Sequence, residues 1–148
     1  MCGMTVPARV NLVTLGVVDL ERETRFYEAL GWRLSGSSVA GEVSFFDLAN
    51  CVLAVWGYTS LADDAHVPAG EPPAFRGVAN AINVGSEAEV DAVIGAAVDA
   101  GGSVAKAAVK ADWGGYSGYF ADPEGHLWEV AHNPYWPLDD NGVVHLPE

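Results

Sequence analysis

The sequence has few basic residues and no long apolar run, and each shortage excludes a class of protein. Only 7 of the 148 residues are lysine or arginine, against 20 aspartates and glutamates, so the formal net charge is −13. Such a chain lacks the basic patch that binds nucleic acid or anionic lipid. No apolar run approaches the roughly 20 residues of a membrane span, and no signal peptide is recognisable. We expect a cytoplasmic protein that binds neither nucleic acid nor membranes.

Cysteine is also scarce, which excludes a disulfide framework. Cys2 falls at the N terminus and Cys51 in an apolar stretch, so we expect two free thiols. Half of the residues are apolar. At this length folding buries roughly 68–70% of the unfolded surface, which is enough to stabilise one domain without crosslinks.

A repeated pattern divides the chain into two halves. Val10–Val18 is rich in β-branched residues and predicts a strand, and Asp19 can cap the helix that follows. Val78–Val84 predicts a second strand, followed by a capping box that starts at Ser86. The two caps are 67 positions apart. The second half therefore begins with the same strand and helix as the first.

The later part of each half repeats as well. Residues 45–55 resemble residues 120–130, and in each copy a tight turn joins the last two predicted strands. Each half thus predicts a strand, a helix and about three strands. The predicted organisation is an N-terminal extension (1–9), a first module (10–56), a solvated connector with three prolines (57–77), a second module (78–133) and a C-terminal tail (134–148) with a short strand at Val143–Leu146.

Two motifs resemble a known superfamily. The opening motif runs from Leu15-Gly-Val-Val-Asp-Leu to Phe-Tyr-x2-Leu-Gly-Trp32, and the closing motif is Phe120-x-Asp-Pro-Glu-Gly-His-Leu-Trp-Glu129. Together with the repeat, they are similar to the vicinal oxygen chelate superfamily, which includes glyoxalase I, extradiol dioxygenases, fosfomycin-resistance enzymes and bleomycin-resistance binding proteins. The resemblance implies an α+β fold in which two βαβββ modules form a curved eight-stranded mixed sheet. It also implies helices on the convex side, a ligand in the concavity, and a homodimer.

Metal-dependent relatives use one inward side chain from the first and last strand of each module. The resemblance places these four positions at Leu12, Ala54, Ala79 and Glu129, of which only Glu129 can bind a metal. A catalytic divalent ion needs about three protein ligands of nitrogen, oxygen or sulfur type. We therefore expect no metal and no cofactor.

His126, Glu129 and His132 are spaced like a metal motif, but side chains alternate along a strand. Both histidines should therefore face away from Glu129. The interpretation that we favour places His126 in a turn and His132 at a strand end.

The remaining candidates are ligand-binding residues. Strand alternation directs small and apolar side chains into the concavity, and the glycine-rich segment Trp113 to Phe120 is a candidate aromatic wall. Aromatic rings could stack on an aromatic or cationic ligand. They could equally fill the core, and Glu129 could be an idle solvated carboxylate. The candidate ligand-binding residues are Thr14, Trp56, Asn83, Trp113, Tyr116, Tyr119 and Glu129.

Three functions remain open at this point. The first is a metal-free protein that binds or sequesters a small organic molecule. Electrostatic steering by the negative charge of the protein would favour a cationic ligand. The second is a metal-dependent glyoxalase-like lyase or extradiol-type dioxygenase with unidentified ligands. The third is a metal-independent isomerase or cyclase with Glu129 as the base. No nucleophile lies beside a recognisable base in the sequence.

Overall fold

The computed structural model describes residues 5–148, so Cys2 lies outside the described residues. Cys51 is a free, half-buried thiol. None of the helices in the described range has the length and apolar character that crossing a bilayer requires. The elements are β1 (Leu12–Val17), α1 (Leu20–Ala29), β2 (Val43–Asp47), β3 (Val52–Gly57), α2 (Tyr58–Asp64), β4 (Ala79–Asn83), α3 (Glu87–Asp99), β5 (Ser103–Lys110), β6 (Tyr116–Ala121) and β7 (Leu127–His132).

The strands form two mixed sheets with related topology. One sheet has the order β1-β3-β2 and the other β4-β7-β6-β5. In both, the first strand of the half pairs in parallel with the last one, Leu12 opposite Val52 and Ala79 opposite Leu127. These two pairs are related by the offsets of the sequence repeat. The α+β class and the internal duplication are therefore confirmed.

The expected continuous eight-stranded sheet is not confirmed, because residues 5–148 contain seven strands in two separate sheets. The first half lacks one strand. Residues 32–42 form no regular strand among the described residues. They contact β2 through two isolated β-bridges, Leu34–Phe46 and Val39–Val43. This segment is rich in serine and glycine, and Gly41 turns the chain with a φ of 79°. Residues that favour turns cannot sustain a regular ladder here. In the tail, the predicted strand is likewise reduced to one bridge, Leu138–Val144.

Both predicted helix caps are confirmed. The Asp19 side chain accepts a hydrogen bond from the backbone N–H of Arg22 at 3.0 Å. Ser86 accepts one from the N–H of Glu89 at 3.1 Å. Each side chain satisfies a backbone donor that has no partner within the helix.

A single core joins the two halves on the helix side of the sheets. Helix α1 belongs to the first half, yet its aromatic rings reach the second sheet. The Phe26 ring lies 6.3 Å from that of Phe120, and the Tyr27 ring lies 6.0 Å from that of Trp128. Trp128 and Val130 are buried here, so alternation along β7 is as predicted. The fully buried large side chains include Phe26, Tyr27, Phe46, Leu53, Phe120 and Val130.

The segment predicted to be a solvated connector contains α2, which corrects that interpretation. Tyr58, Leu61, Ala62 and Ala65 recur with the spacing of one helix face. This face lies against β1, where a Cβ added to Gly16 would approach Tyr58 Cδ2 to 3.1 Å and Leu61 Cδ2 to 3.2 Å. The prolines that favour an irregular connector, Pro68, Pro72 and Pro73, all lie beyond the end of α2.

Candidate functional site

A cavity of about 420 Å³, here called the seam cavity, is lined by the edge strands of both sheets. Residues 13–16 of β1 contribute one wall, and Asn80 of β4 with residues 125–127 contributes another. Helix α2 and the segment after it complete the lining. The volume lies in the usual range for sites that enclose a small organic molecule.

The lining is mostly apolar. Its polar or charged side chains are those of Thr14, Tyr58, Arg76, Asn80 and His126. No aspartate or glutamate of the part of the chain that the structure describes lines it. Apolar walls with a few polar groups are typical of sites for organic ligands rather than hydrated ions. The apolar lining residues are Val13, Leu15, Leu61, Ala62, Ala65, Val67, Pro68, Ala74, Phe75, Val78 and Leu127.

His126 connects the cavity to a buried hydrogen-bond network. Its Nδ1 lies 2.9 Å from Asp122 Oδ2, and its backbone N–H donates to Asp122 Oδ1 at 2.9 Å. Asp122 also accepts from the Tyr27 hydroxyl at 2.8 Å and from the backbone N–H of Glu124 at 3.0 Å. Burial acts to raise the pKa of Asp122, but the hydrogen bonds from His126 and its other partners hold that pKa below the ordinary value. An ionised Asp122 requires the proton on Nδ1 and fixes the orientation of the ring.

Glu23 of α1 lies beside this network, and sequence reasoning did not identify it. Its side chain is fully buried, and neither carboxyl oxygen has a hydrogen-bond partner within residues 5–148. Burial, together with the neighbouring charge of Asp122, raises the pKa of Glu23 to about 9. The one available signal was its position three and four residues before the core residues Phe26 and Tyr27.

Oxygen or nitrogen atoms of Glu23, Asp122 and His126 lie within 4.8 Å of one another, a separation that could suit a metal ion. Asp122, however, already accepts hydrogen bonds at both oxygens, and His126 Nδ1 is one of the donors. The network therefore satisfies Asp122 without a cation. A protonated Glu23 avoids placing two carboxylates together in the interior.

Three of the predicted ligand-binding residues lie on one connected surface. Thr14 lines the seam cavity. Glu129 and Tyr119 lie opposite each other on β7 and β6, and the Glu129 charge raises the pKa of Tyr119. Tyr119 lines a shallow cavity of about 350 Å³, which shares Phe75 and Leu127 with the seam cavity.

The predicted aromatic wall does not form as one surface. Tyr116 and Tyr119 are three residues apart on β6, so strand alternation places them on opposite faces. The Tyr116 hydroxyl donates to Asp91 of α3 at 2.7 Å, and this hydrogen bond raises the pKa of Tyr116. Trp113 is 57% exposed, and its ring packs over the Gly115 backbone.

Trp56 and Asn83 also lie outside the lining of the seam cavity. Trp56 lines a separate recess with Glu42 and Ser60. Asn83 is at the end of β4, opposite Ala131. The structure thus brings Thr14, Tyr119 and Glu129 into one region and leaves Trp56, Asn83, Trp113 and Tyr116 outside it.

The four positions at which the resemblance implies metal ligands do not form a donor set in this chain. Leu12 is half exposed, Ala54 is buried and Ala79 is exposed, and none of the three carries a donor atom. Glu129 remains the one carboxylate among them. The expected orientation of the histidines is supported, since His126 faces Asp122 and His132 Nδ1 lies 3.1 Å from the carbonyl of Val84. These residues do not fit a catalytic metal.

Comparison with known proteins gives a consistent assignment. The family model described as the Glyoxalase/Bleomycin resistance protein/Dioxygenase superfamily matches residues 9–130. A glyoxalase-related enzyme from Fulvimarina pelagi is 36% identical with a TM-score of 0.83, over 95% of this chain and 99% of that one. A glyoxalase/bleomycin resistance protein/dioxygenase from Nocardioides is 25% identical with a TM-score of 0.73, over 97% and 93%.

A more distant structure is lactoylglutathione lyase from Agrobacterium tumefaciens, which is 22% identical with a TM-score of 0.66, over 86% of this chain and 96% of that one. At this identity the likeness shows the fold alone. No curated protein sequence matches the chain.

Proposed function

The chain belongs to the glyoxalase/bleomycin resistance protein/dioxygenase superfamily, and from that premise we propose that it binds a small organic molecule in the seam cavity without a metal ion. The observation that carries this proposal is the composition of the cavity wall. The cavity has a volume of about 420 Å³ and a mostly apolar lining. This lining comes from one face of α2, the segment after α2 and the edge strands of both sheets. Sequestration of a ligand there requires no chemistry at the bound molecule.

The packing of α2 supports a site that is formed before the ligand arrives. Gly16 lets the helix approach β1, and Tyr58, Leu61 and Ala62 then face the cavity. A preformed site avoids the entropic cost of ordering loops on binding. Burial of apolar ligand surface contributes about 25 cal/mol per Å² to the driving force.

The donor set favours recognition over Lewis-acid catalysis. Leu12, Ala54 and Ala79 offer no ligand atom, and Glu129 alone cannot fix the coordination geometry of a catalytic ion. A metal-dependent lyase or extradiol-type dioxygenase is the alternative that membership of the superfamily allows. It would require ligands from other positions. The homodimer that the resemblance implies stays a prediction.

The lining also bears on the charge of the ligand. The net charge of −13 favours cations at long range. The wall of the cavity nevertheless contains Arg76 and His126 and no carboxylate. We therefore propose that the enclosed part of the ligand is apolar and uncharged or acidic, rather than cationic.

The test is calorimetric titration with 4-phenylbutan-1-ol, a neutral aromatic probe, in buffer that contains EDTA. Ala62→Phe places a ring in the cavity and is expected to lower the affinity at least tenfold. Thr59→Phe is the matched control, because Thr59 lies on the same helix, is exposed and does not line the cavity. Equal affinity in the wild type and both variants would place the binding elsewhere, and no binding to the wild type would contradict the proposal.

A further inference from the structure

We propose that the polar end of the seam cavity is a carboxylate-binding subsite centred on Arg76, so that the ligand is an apolar molecule with one carboxylate. This inference rests on the proposed function, since it requires a ligand in that cavity. It names the chemical class of the ligand, which neither the fold nor the superfamily defines.

Arg76 uses only part of its guanidinium within the protein. Nη2 donates to the backbone carbonyl of Glu124 at 3.1 Å. Nε is enclosed by protein atoms, where a ligand cannot reach it, and has no hydrogen-bond partner within residues 5–148. Nη1 forms no hydrogen bond within residues 5–148 and is not enclosed, so it is the donor that a ligand in the seam cavity can reach. Charge-assisted hydrogen bonds from a guanidinium to a carboxylate are among the stronger hydrogen bonds in proteins.

Arg76 has no ion-pair partner among the described residues. It shares a neighbouring recess with Asp19 and Glu124. Glu124 is the acidic residue of the adjoining turn, but its carboxylate accepts hydrogen bonds from the backbone N–H groups of Val18 and Asp19 at 2.7–3.0 Å. The wall of the seam cavity therefore contains a guanidinium without an ion pair, and within residues 5–148 no aspartate or glutamate lines this cavity.

His126 adds ring nitrogens to the same wall. Arg76 Nη1 lies beside the Gly125 backbone, 3.7 Å from the point that a Cβ there would occupy, and Arg76, Gly125 and His126 all line the seam cavity. Because Nδ1 of His126 is bonded to Asp122, Nε2 is the ring atom left to meet a ligand. Nε2 has no hydrogen-bond partner among residues 5–148 and is not enclosed. It can donate to a carboxylate when the ring is protonated and accept from a hydroxyl when it is neutral.

The net negative charge of the protein does not outweigh this local arrangement. At physiological ionic strength, charges are screened over about 8 Å, so distant surface carboxylates contribute little inside the cavity. An unpaired guanidinium at contact distance in an apolar environment interacts much more strongly. Local chemistry therefore favours an acidic ligand in an acidic protein.

The experiment compares three probes of nearly equal shape: 4-phenylbutyrate, 4-phenylbutan-1-ol and 4-phenylbutylamine. Calorimetric titration of the wild type is expected to give a dissociation constant for the acid at least tenfold below that for the alcohol, with the amine weakest. This comparison requires no variant and hence no assumption about folding. Equal affinity for acid and alcohol, or a preference for the amine, would overturn the subsite.

Arg76→Gln is expected to weaken binding of the acid at least tenfold and to leave the alcohol within about twofold. Arg22→Gln is the matched control, because Arg22 donates to the carbonyl of Pro123 in the same turn at 3.2 Å but does not line the seam cavity. If the two variants weaken the acid equally, the effect is long-range and the subsite is wrong. If the wild type binds none of the three probes, the proposed function itself fails, whereas binding of the alcohol without a preference for the acid removes only the subsite.

Discussion

The hydroxyl of Tyr27, on the helix of the first half, donates a 2.8 Å hydrogen bond to Asp122, in the last turn of the second half. The Trp128 indole N–H in turn donates to the Tyr27 oxygen at 3.0 Å. This buried chain orients the Asp122 carboxylate that holds His126 at the wall of the seam cavity. One contact between the halves thus supports both the fold and the candidate site.

Tyr27→Phe is expected to lower the free energy of unfolding by about 2–3 kcal/mol. The substitution removes a buried hydrogen bond to a charged group and leaves the Trp128 N–H without an acceptor. Tyr116→Phe is the control, since it removes an exposed tyrosine–aspartate hydrogen bond to Asp91 and should cost less than about 1 kcal/mol. Urea denaturation measures the free energy of unfolding of both variants. Equal losses would show that the buried hydrogen bonds of Tyr27 stabilise the protein no more than the exposed one of Tyr116.

Glu23→Gln is expected to stabilise the protein increasingly as the pH rises from about 5 to 9. With a pKa of about 9 in the folded state and 4.5 as its ordinary value, Glu23 keeps its proton on folding and loses it on unfolding across this interval. The wild-type free energy of unfolding therefore falls with rising pH, by at most about 1.4 kcal/mol per pH unit from this group. Glutamine cannot ionise and does not contribute this loss.

The measurement is denaturant-induced unfolding of wild type and variant at several pH values. Glu28→Gln, on the exposed side of the same helix, is the matched control for removing one carboxyl group from α1. A pH-independent difference between Glu23→Gln and the wild type would mean that Glu23 is ionised in the folded protein.

Two glycine substitutions test the packing of α3. A Cβ on Gly95 would meet no atom within 4 Å, so Gly95→Ala should stabilise by about 0.5–1 kcal/mol through helix propensity. A Cβ on Gly118 would lie 2.8 Å from both Ala108 N and Ile94 Cδ1, so Gly118→Ala must displace backbone and should destabilise by about 1–3 kcal/mol. Thermal unfolding should show a higher melting temperature for Gly95→Ala and a lower one for Gly118→Ala. A higher melting temperature for both variants would contradict the described packing.

The duplicated fold could be predicted because its signals are local. The caps at Asp19 and Ser86 and the strands that precede them recur at a fixed offset, and the structure has them where the sequence places them. The missing strand of the first half could not be predicted, because pairing there depends on whether residues 32–42 can extend along β2. The apolar residues of α2 recur with helical spacing, but the prolines that follow them favour an irregular connector.

The candidate site was only partly predictable. Strand alternation places Glu129 and Trp128 on opposite faces of β7, as predicted. The same alternation places Tyr116 and Tyr119, three residues apart, on opposite faces of β6, so the predicted aromatic wall was wrong for this pair. Arg76 and His126 carried no local signal of a shared site. They line one cavity only because the segment after α2 and the turn at residues 122–126 come together in the folded chain, which is a long-range relationship.

The central claim, recognition without a metal, is tested most directly by titrating wild-type protein with 4-phenylbutyrate in EDTA and again in the presence of Zn²⁺, Mn²⁺ or Ni²⁺, with metal content measured in parallel. The account predicts equal affinity in every buffer and no stoichiometric metal bound to the protein. One equivalent of tightly held metal that is lost in Glu129→Ala, together with binding that requires it, would contradict the account.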